Sequence, residues 1–389
     1  MLALLVVLKN NFIAEQLDRV FLYLSFIPVY VNLAKLGGNT PIISLVMKGD
    51  KVDYYIASQV CPILIASIII PIAHGVFFGF SSFNKFNMLP KLVLITFLLS
   101  LISLFVSIYQ ARGDYIRVYL LQGVYSASIS LPLLILIGLG FELDENSYFY
   151  IFMFLSACGA LYVITENKMW GSFFNNIKFK MDLVKVKNNF AYFINDSMWY
   201  LVIALCSSLV IANLQSGALS EFTIALRFGM TLVLVQQATN LVFGPRVAKN
   251  FLEGKKAKGV SLFLVSMVIT SVTALALIII FYMAVDYFDI LKLLPIKIEL
   301  LSLVFSFVLI SFLLGPSENV NIFLGRRLPI ILSNVVGIIA LICISILYPY
   351  DNDVQYYIIL AMSFMLAKKI TNTASVYFIK NNYAFKNHM

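Results

Sequence analysis

Residues 252–285 read LEGKKAKGVSLFLVSMVITSVTALALIIIFYMAV, a stretch in which three lysines precede 27 residues without a charged side chain. An α-helix rises about 1.5 Å per residue, so roughly twenty residues already match a hydrocarbon core about 30 Å thick. This stretch therefore reads as a membrane crossing, and its lysines mark one side of the bilayer. Working outward from it, ten further apolar stretches fall at 20–38, 57–80, 90–110, 117–140, 147–165, 190–213, 222–243, 298–316, 328–348 and 355–379. The run Met1 to Leu8 has the character of one more, seen only in part. The fold class is all-α, a polytopic membrane protein.

Composition agrees. The chain is 61% hydrophobic and 12% charged, with a mean hydropathy of +0.92, outside the range of water-soluble domains. Cys61, Cys158, Cys206 and Cys343 all fall inside apolar spans, where a thiol serves as a small packing residue, and they form no CxxC metal or disulfide framework. His74 stands alone in its apolar span, three residues after Pro71, so no metal site is expected. No Walker A, GxSxG, HExxH or Rossmann glycine pattern occurs, so neither a cofactor nor ATP-driven pumping by a single chain is expected. The formal net charge of +9 would suggest nucleic acid as a partner in a soluble protein. Its distribution fits membrane topology better.

With the C-terminus taken as cytoplasmic, 20 Lys and Arg fall in connections on that side, Lys368 and Lys369 among them, against six on the other. Positive charge accumulates on the cytoplasmic face of a bacterial membrane protein, so this bias places the C-terminus inside. Only Lys35 and Arg227 remain of the 28 basic residues, both within apolar spans.

The chain also resembles itself. Pro41, Gly49 and Lys51 recur as Pro245, Gly254 and Lys256 at offsets of 204 and 205 residues; Gly113 precedes Gln122 by nine positions, as Gly325 precedes Asn334, at an offset of 212. The pattern predicts two six-helix lobes in parallel repeat: an N-terminal lobe over 1–165, a basic linker over 166–188 and a C-terminal lobe over 189–389. Shifting the span 190–213 back by one repeat predicts a first helix that begins upstream of Met1. Both native termini are then expected in the cytoplasm.

Arg227 lies in SEFTIALRFGMTLVL, about 8 Å into its span, with Thr223 and Thr231 on the same helical stripe at four-residue spacing. An intramembrane guanidinium either serves a substrate or snorkels to lipid phosphate. Lys35, in VNLAKLGGNT, sits near the end of its span and poses the same choice. Asp196, in FINDSMWYL, is a candidate for ion coupling or for anchoring a helix start. Arg112 and Arg117, in the loop YQARGDYIRVYLLQG that leads to Gln122, are candidates for a cytoplasmic gate, since arginine presents a fixed donor fork to phosphate; both also serve as topology determinants. Gln122 and Asn334, at equivalent places in the two repeats, complete the set of cavity candidates.

SGALSEFTIALRFG leading to FGPRVAKNFLEGKK, the loop YQARGDYIRV and the segment LGRRLPIILSN together resemble the polysaccharide flippases of the MOP superfamily, the Wzx-type O-antigen transporters. A more distant similarity extends to the lipid II flippase MurJ and to MATE exporters. The resemblance implies two lobes around a central cationic cavity. It implies movement of an undecaprenyl-diphosphate-linked oligosaccharide across the bacterial inner membrane by alternating access. Arg227 matches the position of a cavity arginine in MurJ-like proteins. The lipid-linked oligosaccharide and the bilayer are the implied partners, together with a polysaccharide polymerase and a chain-length regulator. Two rivals stand beside this reading. A MATE-type exporter of cations or drugs would favour an acid-rich cavity, and an O-antigen polymerase would need a long outer loop, whereas the outer connections here span about 5 to 13 residues.

Overall fold

The computed structural model describes residues 14–35, 42, 52–78, 88–112, 114, 116–118, 120–121, 145–166, 183–288, 297–324, 326–348 and 353–378. Met1 to Leu8, Gln122 and most of the expected linker lie outside them. Among the described residues every regular element is helical: α1 (Ala14–Ala34), α2 (Val52–Phe78), α3 (Leu89–Arg112), α4 (Glu145–Glu166), α5 (Leu183–Asn213), α6 (Ala218–Leu252), α7 (Lys256–Phe288), α8 (Ile298–Phe312), α9 (Ser317–Phe323), α10 (Arg327–Leu347) and α11 (Val354–Tyr377). Six of these contain spans long and apolar enough to cross a membrane. By packing, the chain divides into two compact units, Met1–Leu201 and Val202–Met389, with the division falling inside α5.

In the first unit α1 packs against α2, α3 and α4. Its Phe21, Tyr23, Leu24, Ile27, Tyr30 and Val31 are all buried, so α1 is surrounded by protein on several faces. Aromatic contacts fix its position. Tyr23 meets Phe149 of α4 edge to face at 5.4 Å, and Phe26 lies 4.1 Å from the His74 ring of α2, to which the Tyr30 hydroxyl is hydrogen-bonded. Pro28 sits within α1, and Pro62 and Pro71 within α2; each removes a helical N–H and permits a bend.

The second unit is built from two helical pairs, α6 with α7 and α10 with α11, between which α8 and α9 are inserted. The helices differ in what covers them. Only 22% of the α7 span and 22% of the α10 span is buried, against 67% of the α3 span, so α7 and α10 leave most of their apolar surface uncovered by the second unit. Val268, Val272, Ile280 and Met283 on α7 and Ile346 and Leu347 on α10 are each 60% exposed or more. Such a surface is stable against acyl chains and aggregates in water. By contrast α11 buries Tyr357, Ile358, Leu360, Ala361, Met362 and Phe364, together with Lys368, Asn372 and Thr373. It is an interior helix, which is why it carries polar groups at membrane depth.

The apolar span read at 298–316 ends in a turn, and a short second helix follows it. α8 ends at Phe312, four residues turn, and α9 starts at Ser317. Gly315 and Pro316 cause the break. Proline has no N–H to donate and its ring crowds the carbonyl four residues earlier, while Gly315 takes a positive φ of 68°. A Cβ at Gly315 would also lie 2.7 Å from Met267 Cγ and 2.8 Å from Phe263 Cζ, so the turn is pressed against α7.

Candidate functional site

A helix interrupted inside a membrane protein exposes carbonyls that have lost their helical donors, and each must find another partner. Here α6 and α11 supply them. The Thr373 hydroxyl donates to the Leu314 carbonyl at 2.6 Å and lies 3.1 Å from Ser317 Oγ. The Gln236 amide nitrogen donates to the Gly315 carbonyl at 3.5 Å. The Lys369 ammonium donates to the Gln236 amide oxygen and, at 3.4 Å, to the Ser311 carbonyl, with the Phe312 ring centroid 5.8 Å away.

One residue earlier, Lys368 pairs with Glu318 of α9 at 3.3 Å; its side chain is only 8% exposed. The network continues along α11. Asn321 Nδ2 lies 3.2 Å from Asn372 Oδ1 and 2.8 Å from Ser375 Oγ, and Asn372 Nδ2 donates to the Lys368 carbonyl at 3.2 Å. Arg326 closes it by donating to Asn321 Oδ1 at 3.2 Å and to the Ser375 carbonyl at 2.8 Å. Three cations thus converge on one carboxylate and a set of carbonyl and amide oxygens. Lys369 is fifteen residues along α11 from Val354, or about 22 Å at helical rise, against a hydrocarbon core about 30 Å thick.

This corrects the sequence reading of Lys368 and Lys369 as connection residues. Both lysines lie within the apolar span at 355–379 rather than beyond it, and α11 runs through them because α6, α8 and α9 accept its polar face. Without these two lysines the basic count reads 18 against six.

The residues singled out from sequence are divided between the two units, Lys35, Arg112, Gln122, Arg117 and Asp196 in the first and Thr223, Arg227, Thr231 and Asn334 in the second. Arg227 is half-buried on α6, where Thr231 Oγ1 donates back to its carbonyl at 3.0 Å; Thr223 is half-buried and Thr231 exposed on the same helix. Lys35, at the end of α1, is 5% exposed and donates from Nζ to Ser103 Oγ of α3 at 2.9 Å. Asn334 is buried on α10 and donates to the Ile330 carbonyl at 2.8 Å. Arg112 is exposed at the end of α3. Arg117 binds Asp114 at 2.8 Å and Glu166, the last residue of α4, at 2.7 Å. That arrangement ties a loop to a helix end. Partial desolvation works against the charge on Arg117, but the two carboxylates outweigh it and hold the guanidinium above its ordinary pKa. Asp196 lies in α5, and its side chain, like Gln122, lies outside the described residues.

The whole chain aligns with solved transporters. At a TM-score of 0.64 and 15% identity, 97% of it covers 92% of an outward-facing multidrug resistance MATE family transporter of the MOP superfamily. Two further structures, a proline-to-alanine mutant of a MATE and a MATE in complex with MaD3S, align at TM-scores of 0.59, with 16% and 17% identity; each match covers 94% of this chain and 89% of the other. The fold is that of the MATE transporters. No protein-family model and no curated protein matches the sequence. The helix-break cluster had one sequence signal, Gly315-Pro316 inside an apolar span, but its partners lie more than fifty residues away in α11 and about eighty away in α6.

Proposed function

We propose that this protein moves a lipid-diphosphate-linked oligosaccharide across the bacterial inner membrane by alternating access. The MATE-like fold supports a transporter; the sign of the charge held inside it supports an anionic cargo. Among the described residues the buried charged side chains are Lys35, Lys91 and Lys368 against Asp18, and the half-buried ones are nearly balanced, Arg19, Arg227, Lys256, Arg326 and Lys369 against Asp114, Glu221, Glu318 and Asp353. An ionised group at membrane depth is costly, so the modest excess of buried lysines over carboxylates supports a cationic rather than an acidic interior. That field attracts a diphosphate and repels a cationic drug.

Arg227 is the group assigned to the substrate phosphate, because its planar fork binds two oxygens at once. The test is complementation of a strain lacking this protein, with lipid-linked oligosaccharide on the inner face as the second readout. Arg227→Ala abolishes surface polysaccharide at matched protein level, and Arg227→Lys retains part of it. Full complementation by Arg227→Ala overturns the assignment. A second reading, export of cations or drugs, is favoured by the description of one aligned structure as a multidrug resistance transporter. It predicts raised tolerance to cationic drugs on expression in a sensitised host, with surface polysaccharide unaffected by loss of the protein.

A further inference from the structure

The turn between α8 and α9 leaves the C-terminal end of α8 packed among α6, α7 and α11, where a helix end carries partial negative charge and favours a cation. Interrupted transmembrane helices use such ends and their unwound carbonyls to coordinate monovalent metal ions. Here the place is taken by protein. The Lys369 ammonium contacts the Gln236 amide oxygen and the Ser311 carbonyl and sits over the Phe312 ring. Gln236 is held in place by its own donation to the Gly315 carbonyl, and it is buried.

We infer that Lys369 is a tethered cation filling a monovalent-metal site whose oxygen ligands are Gln236 Oε1 and the Ser311 carbonyl. The site therefore needs no free Na⁺ in the wild type, and removing the ammonium opens it to one. Ammonium and Na⁺ carry the same charge and seek the same oxygen ligands, so the exchange conserves the local charge. Lys368, one residue away, does not serve in this role because it is committed to Glu318. The inference holds whatever cargo the transporter carries, and its readout is binding by the purified protein, so its failure is separate from failure of the flippase reading.

The experiment measures thermal unfolding of purified protein in detergent with NaCl or with choline chloride at equal ionic strength. A ligand that binds only the folded state raises its midpoint. Wild type shows the same midpoint in both salts. Lys369→Ala is lowered in choline and raised by Na⁺ by roughly 3 °C or more. Lys369→Gln, whose amide fills the same space, gains no such response, and neither does Lys368→Ala. The inference is overturned by a Na⁺-specific rise in the wild type, or by equal midpoints for Lys369→Ala in the two salts. Failure to recover Lys369→Ala in either salt while Lys368→Ala is recovered also overturns it, since the site would then accept no mobile ion.

Discussion

At the residue scale the Lys368–Glu318 pair shows how unequal two halves of one ion pair are. The Lys368 side chain retains 8% of its exposure and Glu318 retains 30%. Removing the acid takes the counter-charge from a cation set among apolar and amide groups, whereas removing the base leaves a carboxylate that still reaches water. Loss of one member of a buried pair costs about 3–5 kcal/mol, and of an exposed pair about 0–1 kcal/mol. Glu318→Gln therefore lowers stability by roughly 3 kcal/mol and Lys368→Met by about 1 kcal/mol. The double variant is more stable than Glu318→Gln alone. Thermal unfolding of the three purified variants checks the order, and a larger loss for Lys368→Met refutes it. Lys35 and Arg227 were legible in the sequence because each stands alone in an apolar run. Lys368 and Lys369 were not, because their meaning depends on Glu318, Gln236 and Ser311, which the chain brings to them from other helices.

At the scale of elements, the decisive feature is the Gly315-Pro316 turn that ends α8 and starts α9. Two properties of Gly315 act together: a φ of 68°, which an L side chain rarely adopts, and contact with Met267 and Phe263 so close that a methyl group has no room. Gly315→Ala thus combines backbone strain with overpacking, each worth about 1–3 kcal/mol. It is expected to lower the unfolding midpoint markedly and to reduce transport. Pro316→Ala acts differently. It restores an N–H without adding bulk, so the protein accumulates normally while the break loses definition and transport falls. Normal stability of Gly315→Ala in detergent, measured by the same unfolding assay, contradicts the account. Helix periodicity and length located the apolar stretch, but a Gly-Pro pair in a membrane span is compatible with a mild kink as well as with a complete break. The outcome is set by the donors on α6 and α11 that take up the freed carbonyls.

At the scale of the molecule, the charge count predicts which side each connection faces. Cysteine labelling at Asn146, Gly217 and Asp351 is expected to place all three outside, and at Trp170 and Lys255 inside; one reversal breaks the assignment. Moving Lys368 and Lys369 from a connection into α11 leaves the bias at 18 against six, still strong enough to orient the chain. What the amino-acid order by itself determined is the helical, membrane-embedded class of this protein, because the absence of water in the hydrocarbon core forces every long apolar run into a helix. Tertiary structure alone decided which helices face lipid and which face protein. It left the apolar faces of α7 and α10 uncovered and gave the less apolar α11 an interior place beside the turn between α8 and α9. The physical reason is that hydropathy records only the preference of a side chain for leaving water. Whether a lysine in such a helix is stranded or satisfied depends on oxygens that other segments deliver.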